Sequence, residues 1–426
     1  MKRLLCILAL VIVSSLWVVC HCTWAADWAQ FRGPGGTGVS GETGLPLTWN
    51  AEENLVWKVP LPGYGASCPI VVGAKIFVTY YGGYGQDSEN PGEQESLALH
   101  LVCHDRDTGD VLWDRALDPQ LPDQPYEQFL PEHGYASATP ASDGTAVYAC
   151  FGRSGVWAFD LDGNQLWHAD VGSNTHIFGS ANSPLIVDDY VIVNASVESG
   201  TLIAFDKQTG EEVWRADGIV DAWNTPVLAT LPHGEKEVVV NTSGKILSFD
   251  PQNGTLLWEC ASAETYICPS VVFHDGIVYA IGGRNSQVIA VRAGGRGDVT
   301  ETHQLWLAEE SSNVPSPVYH EGHLYWVNDG GFAHCVDTQT GETVYKERVA
   351  GAGKTYASAV MAEGRLYVVT WHDGTFVIDA KPEFKILAHN VLDGDDSIFN
   401  ASPAVSDGQV FLRSNKYLYC IGIPEQ

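Results

Sequence analysis

The chain is short of basic side chains. Its 426 residues hold 23 lysines and arginines against 52 aspartates and glutamates, a formal charge of −29. A field of that sign repels phosphate backbones and anionic membrane surfaces, which argues against a nucleic-acid partner and leaves room only for weak association with an envelope. Long apolar runs are equally scarce. Leu4–Val19 is one, but at about 16 residues it is short of the roughly 20 that a membrane span needs. No later stretch comes as close, so no transmembrane segment is expected.

Cysteine chemistry is thin as well. None of the 10 cysteines is adjacent to another and none forms a CxxC pair, so no thiol redox motif is present. Cys6, Cys20 and Cys22 fall in the leading segment; the remaining seven are an odd number and cannot all pair. Cys103, Cys335 and Cys420 take a place filled elsewhere by Ala158, Ala204, Ser248 and Ala290. Cys68 and Cys268 precede proline where Thr139, Ser183, Thr225, Ser316 and Ser402 also stand. Such positions read as small-residue core slots, where a free thiol serves as a compact apolar group. A Cys260–Cys268 disulfide is the alternative.

The first 26 residues have the build of a secretory signal peptide. Lys2 and Arg3 precede the apolar run, and Thr23-Trp24-Ala25-Ala26 offers small residues for cleavage before Asp27. A periplasmic or secreted protein is expected. Acylation at Cys20, giving a lipid-anchored form, is less favoured because Val18-Val19 replaces the small residues wanted there.

Beyond the leader the chain repeats itself. Asp, two variable residues, Thr or Asn, Gly, three residues and Trp occur at Asp105–Trp113, Asp206–Trp214 and Asp250–Trp258. Asp337–Tyr345 ends in Tyr, and Asp160–Trp167 is one residue shorter. Recurrence at this interval means a solenoid, a propeller or an array. The 44 glycines and 14 tryptophans suit tight turns carrying large packed side chains. The aspartates accept backbone hydrogen bonds in the turns and the glycines permit positive φ, so these carboxylates read as structural, not as catalytic pairs or metal ligands.

Three-strand sets fall within about 67–104, 135–160, 180–206, 224–250, 267–292, 313–337, 356–380 and 400–422, while fourth strands end near Trp113, Trp167, Trp214, Trp258, Trp306, Tyr345 and Leu387. Eight sets meet seven fourth strands. Asn54–Val59 has the missing pattern, so an all-β, eight-bladed propeller of four-stranded antiparallel blades is predicted, closed by an N-terminal strand joining the last blade. Seven blades is the main alternative count. A helical solenoid is disfavoured, because it needs capped ends. Residues 27–50, starting Trp28-Ala29-Gln30-Phe31-Arg32-Gly33-Pro34, belong to no repeat and are expected to form a clasp or plug; 51–426 form one domain.

Ala204-Phe205-Asp206-Lys207-Gln208-Thr209-Gly210-Glu211-Glu212-Val213-Trp214 and its counterparts, over roughly 50–422, resemble the bacterial pyrroloquinoline-quinone-like, or quinoprotein-type, propeller repeats. That family includes calcium- and quinone-dependent alcohol dehydrogenases. It also includes non-enzymatic propellers such as the scaffold lipoprotein of the outer-membrane β-barrel assembly machinery. The enzymatic branch implies an adjacent-cysteine ring, a Trp platform, calcium ligands and an Asp base. Here only Trp223 and Asp221 imitate any of these. The expectation is a non-enzymatic scaffold or binding protein with no cofactor and no metal; a dehydrogenase using pyrroloquinoline quinone with calcium is the alternative.

Propeller topology brings the segments leading into the inner strands, and the loops between second and third strands, to one face. The first group carries Tyr64, His133, Tyr135, His176, Phe178, Trp223, Tyr266 and Tyr356; the second carries Arg153, Arg284, His372 and Arg413. They are expected to line the mouth of the channel as an aromatic wall with polar tips, a ligand-binding face for a protein, peptide or carbohydrate. Two insertions, Tyr84–Glu95 and Asp118–Glu132, project toward the same face and are candidates for a partial lid.

Overall fold

A computed structural model describes residues 27–283, 287–310 and 312–423. The expected signal peptide, residues 1–26, lies outside the described residues. Among the described residues the strands form eight sheets arranged as an eight-bladed β-propeller, with one four-residue α-helix, Thr300–His303. No helix among them is long and apolar enough to cross a membrane.

Blade 3 shows the plan. Leu185–Val187, Tyr190–Ala195, Thr201–Asp206 and Glu212–Asp217 pair antiparallel in sequence order from the axis outward. Apolar residues alternate onto both faces, so each sheet buries one face on each neighbour; Leu202 and Ala204 of blade 3 meet Val238 and Val240 of blade 4. The small residue of the third strand lies directly across from the Trp of the fourth. Cys103 faces Trp113, Ala158 faces Trp167, Ala204 faces Trp214 and Cys335 faces Tyr345. The bulge that follows each pair lets the large ring turn inward. The seven described cysteines are all free thiols, Cys260 and Cys268 included.

The repeated turn locks one blade to the next. Asp206 Oδ1 accepts the backbone N–H of Gln208 and of Thr209. Gly210 sits at φ +74 beneath the Trp167 ring of the preceding blade, where a Cβ would come within 2.6 Å of the indole. That indole's Nε1–H donates to the Lys207 carbonyl at 2.9 Å. The same docking joins Trp57 to Arg106, Trp113 to Leu161, Trp214 to Pro251 and Trp306 to Thr338.

Blade 4 departs from the four-stranded plan. The segment between the third and fourth strands of blade 5 lacks the Asp–Gly turn and folds back, so that Gly297–Asp298 adds a fifth strand, parallel to Leu256–Ala261. Trp258 therefore finds no turn carbonyl and donates to the buried Glu237 carboxylate at 2.8 Å.

Leu55–Pro60 pairs antiparallel with Tyr417–Ile421 and completes blade 8 beside Gln409–Arg413 and Ala404–Ser406. At the axis a second closure runs through hydrogen bonds. The backbone N–H of Cys68 donates to Thr139 Oγ1, Thr139 to Ser183, Ser183 to Thr225, Thr225 to Ser270, Ser270 to Ser316, Ser316 to Ser358 and Ser358 to Ser402. Ser402 N–H then donates to Cys68 Sγ at 3.2 Å and closes the ring. In blade 5 the ring member is Ser270, beyond Pro269, and not Cys268.

Residues 27–50 cross the far end of the axis. Trp28 pairs with Val71 of blade 1, and Ser142 N–H of blade 2 donates to the Ala29 carbonyl. The buried Arg32 guanidinium donates to the Pro317 carbonyl, Ser40 N–H to Met361, and Trp49 N–H to Asn390 Oδ1. Trp49 stacks on Tyr367.

Candidate functional site

Above this segment the axis widens into a cavity of about 330 Å³. Phe31 forms part of its lining from the N-terminal segment, the Ser/Thr ring encircles it, and the inner-strand entrances wall it with aromatic rings. His133, Phe178, Trp223, Tyr266 and Tyr356 all reach this lining. Phe178, Trp223 and Tyr266 form one cluster, with edge-on geometry between Phe178 and each of the other two at 5.6 and 5.1 Å. The Trp223 indole donates to the Gly179 carbonyl at 2.8 Å and is buried, so it props the cluster more than it presents a surface.

The other expected residues stand elsewhere. His176 packs behind the cluster, 4.9 Å from Trp223. Tyr135 is turned away: its hydroxyl donates to the Gln124 carbonyl at 2.6 Å and its ring meets Tyr81 edge-on. Arg153 donates to the Pro122 carbonyl and braces the base of the second insertion. Tyr64 lines a separate hollow. His372 is exposed beside a crevice near Trp49, away from the axial cavity. Arg413, 1% exposed, donates to the Ser67 carbonyl at 2.8 Å from within the core and offers nothing to the mouth. Arg284 lies outside the described residues.

The second insertion supplies what the repeat pattern did not reveal. Phe129 packs on Phe178 at 4.6 Å. Glu132 reaches across the mouth to blade 7, where Tyr356 Oη donates to its Oε2 at 2.6 Å and Lys354 Nζ to its Oε1 at 2.9 Å. Asn400 of blade 8 donates to the Glu132 carbonyl. Burial, then the Glu132 carboxylate, pushes the Tyr356 phenol up, so it stays a donor. Burial holds His133 below the usual imidazole range, and its two ring nitrogens engage Ser137 Oγ and the Phe178 carbonyl. Glu132 and Lys354 hold no repeat position, and the contacts of Glu132 with Lys354 and Tyr356 span more than 200 residues of sequence.

Chemically the cavity is an apolar room with hydroxyl and amide edges. Among the described residues its lining holds one carboxylate, Glu132, and no lysine or arginine side chain. Among the described residues no three His, Cys, Asp or Glu are grouped so as to hold a metal ion. Pyrroloquinoline quinone carries several carboxylates; among the described residues the lining has no lysine or arginine to pair with them, its one carboxylate is already engaged by Lys354 and Tyr356, and neither Cys68 nor Cys268 has an adjacent cysteine.

Blade number, turn docking and strand closure define a quinoprotein-type eight-bladed propeller. Within that class the chain belongs to the family described as outer membrane protein assembly factor BamB, which it matches over residues 23–175, 97–347 and 298–397. Among curated relatives, BamB of Yersinia pestis is 24% identical over 264 residues, covering 56% of this chain and 62% of the relative. BamB of Burkholderia pseudomallei is 28% identical over 298 residues, covering 56% and 72%. The chain thus spans about three fifths of the Yersinia protein's length. Of solved structures, BamB from Moraxella catarrhalis has TM-score 0.61 at 14% identity, over 87% of this chain and 98% of that one. Quinohemoprotein alcohol dehydrogenase from Comamonas testosteroni has TM-score 0.62 at 11% identity, over 94% and 82%. At these identities the structural likenesses speak to the fold alone.

Proposed function

We propose that this protein is an exported, non-enzymatic scaffold of the outer-membrane assembly type, which holds a protein partner against its cavity-bearing face. The observation that carries this reading is the preformed aromatic cluster at the mouth. Phe129, Phe178 and Tyr266 offer apolar area without any nearby base, nucleophile and metal set that would turn a substrate over. The names of its relatives point the same way. The same proposal places it in the periplasm, which the expected leader and the names of its relatives support. The proposed scaffold uses no cofactor, because the lining supplies no cation for a quinone's carboxylates.

Photo-crosslinking in the native envelope tests the reading. A benzoylphenylalanine at Phe129 or Tyr266 should capture a component of outer-membrane protein assembly, and one at Asp275, on the hairpin side, should not. Tyr266→Ala should weaken that capture about tenfold while leaving the melting temperature nearly unchanged; Trp223→Ala should lower the melting temperature, because Trp223 is a prop. Equal capture from both faces would overturn the assignment. So would dye-linked alcohol oxidation by protein reconstituted with calcium and pyrroloquinoline quinone.

A further inference from the structure

A second hollow, of about 240 Å³, opens beside the axial cavity. Glu132, His133 and Asn400 line both and form the partition between them. Its other walls come from places that never meet in sequence: Tyr64 before the first blade, Gln86 and Ser88 from the first insertion, Tyr126 from the second, and Asn415 from blade 8.

The two insertions that shape it are tied together. Gln94 donates to the Asp123 carbonyl at 2.9 Å and accepts from the Asp123 N–H at 3.1 Å. Tyr126 N–H donates to the Tyr84 hydroxyl at 3.0 Å, and the Tyr81 hydroxyl to the Gly85 carbonyl at 2.9 Å. The wall therefore exists before any ligand arrives, which lowers the ordering cost of binding.

Its chemistry is polar without being charged. Both Glu132 oxygens are engaged by Tyr356 and Lys354, and both His133 nitrogens by Ser137 and Phe178. Among the described residues no lysine or arginine lines the hollow. Several uncharged groups are left over. Asn400 Oδ1 is buried with no partner. Asn415 accepts from Ile398 N–H through its oxygen, which leaves its amide nitrogen available as a donor. Tyr64, Gln86 and Ser88 add hydroxyl and carboxamide groups, and the half-buried ring of Tyr64 adds flat apolar area, backed by the buried Tyr81 and Tyr126.

We propose that this hollow binds a neutral saccharide unit. Adjacent sugar hydroxyls each donate and accept, which suits a mixed set of amides and phenols, and the C–H face of a pyranose packs on tyrosine rings. An anion finds no cation here, and a cation finds its one carboxylate already paired. The size, below the range of about 300–1,000 Å³ that holds drug-sized ligands, suits one ring. The partition ends the hollow, so a chain terminus fits and a strand passing through does not. The hollow shares the cavity-bearing face but has its own lining beyond Glu132, His133 and Asn400, so sugar binding is tested independently of any protein partner.

Saturation-transfer NMR on the full mature protein, with glucose, N-acetylglucosamine and maltose as probes, tests this. At least one sugar should receive saturation and titrate with millimolar affinity, whereas inorganic phosphate and triglycine should receive none. Asn415→Ala and Gln86→Ala should each weaken the sugar severalfold, and about tenfold or more together; Gln86→Ala should leave the melt unchanged, whereas Asn415→Ala also takes the acceptor from the Ile398 N–H and should lower it slightly. Gln86 is exposed on a loop, so its variant keeps the fold and the test decisive. No transfer to any of the three sugars, transfer to triglycine or phosphate instead, or sugar binding unaltered in the double variant would overturn the proposal.

Discussion

Glu198 is a carboxylate held where its charge is disfavoured. It lies buried between the second-to-third-strand loops of blades 2 and 3, with the Ser180 hydroxyl as its donor and no basic side chain paired with it. Burial pushes its carboxyl up to about 7 from an ordinary 4.5, and Asp123 adds to the rise through its own charge. Burial likewise raises Asp123, to about 6. A carboxyl raised in the folded state holds its proton where the unfolded chain has lost it. Stability from this group is therefore undiminished below about pH 4.5, falls as pH rises toward about 7, and stays reduced above that. Glu198→Gln should remove up to about 3 kcal/mol of that loss. Thermal melts from about pH 5 to about pH 8 should show a flatter decline and a higher melting point at the alkaline end for the variant; an unaltered slope would refute the assignment. The isolation of Glu198 is not legible in the sequence, because Gly152 and the loop that help to bury it arrive from another blade.

Turns and outer strands are the elements most legible in the sequence, since Asp206, Thr209, Gly210 and Trp214 each do a job that few other residues do. The fifth strand of blade 4, with the short helix Thr300–His303 that follows it, escaped reading. It arises where the repeat is missing, and an absent turn says only that the docking differs. Glu237 explains the difference. Its buried carboxylate accepts from Trp258 Nε1 and from Ser248 Oγ, and Arg296, from the inserted segment, lies 3.5 Å away. Trp214 by contrast donates to a neutral carbonyl, that of Pro251. Phenylalanine at either place keeps most of the apolar burial and removes the donor. A hydrogen bond to a charged acceptor contributes more than one to a neutral acceptor, so Trp258→Phe should cost about 1 kcal/mol more than Trp214→Phe. Urea unfolding of the two variants checks this, and equal costs would mean that Arg296 and Ser248 alone satisfy the carboxylate.

At the scale of the whole molecule, the ring is closed three times over. The outer closure, Leu55–Pro60 on Tyr417–Ile421, was readable because the count of outer strands came up one short and Asn54–Val59 supplied the pattern. The aromatic part of the axial site was readable for the same reason, since entrance residues such as Phe178 and Tyr266 recur at fixed places. The inner closure by Ser and Thr hydroxyls was visible only as a small-residue slot; the insertion ending at Glu132 and the segment holding Phe31 were legible as a lid and a clasp, but not the Glu132–Lys354 pairing or the place of Phe31 in the cavity, because no period relates them.

The third closure, residues 27–50 across the far end, separates from the first by experiment. Deleting residues 27–60 removes the fourth strand of blade 8 and leaves the backbone of Tyr417–Ile421 as an open edge, so cooperative unfolding should be lost or strongly weakened. Deleting only 27–50 keeps that strand. It removes the buried Trp28, Arg32 and Trp49 and takes Phe31 from the cavity lining. The ring should then still melt cooperatively but at a lower temperature, and bind an apolar dye that the intact protein excludes. Hydrogen exchange distinguishes the roles: amides of residues 55–59 should exchange as slowly as the inner strands in both the intact and the 27–50 deletion proteins. Fast exchange there in an otherwise folded protein would show that the clasp, and not the strand, holds the circle shut.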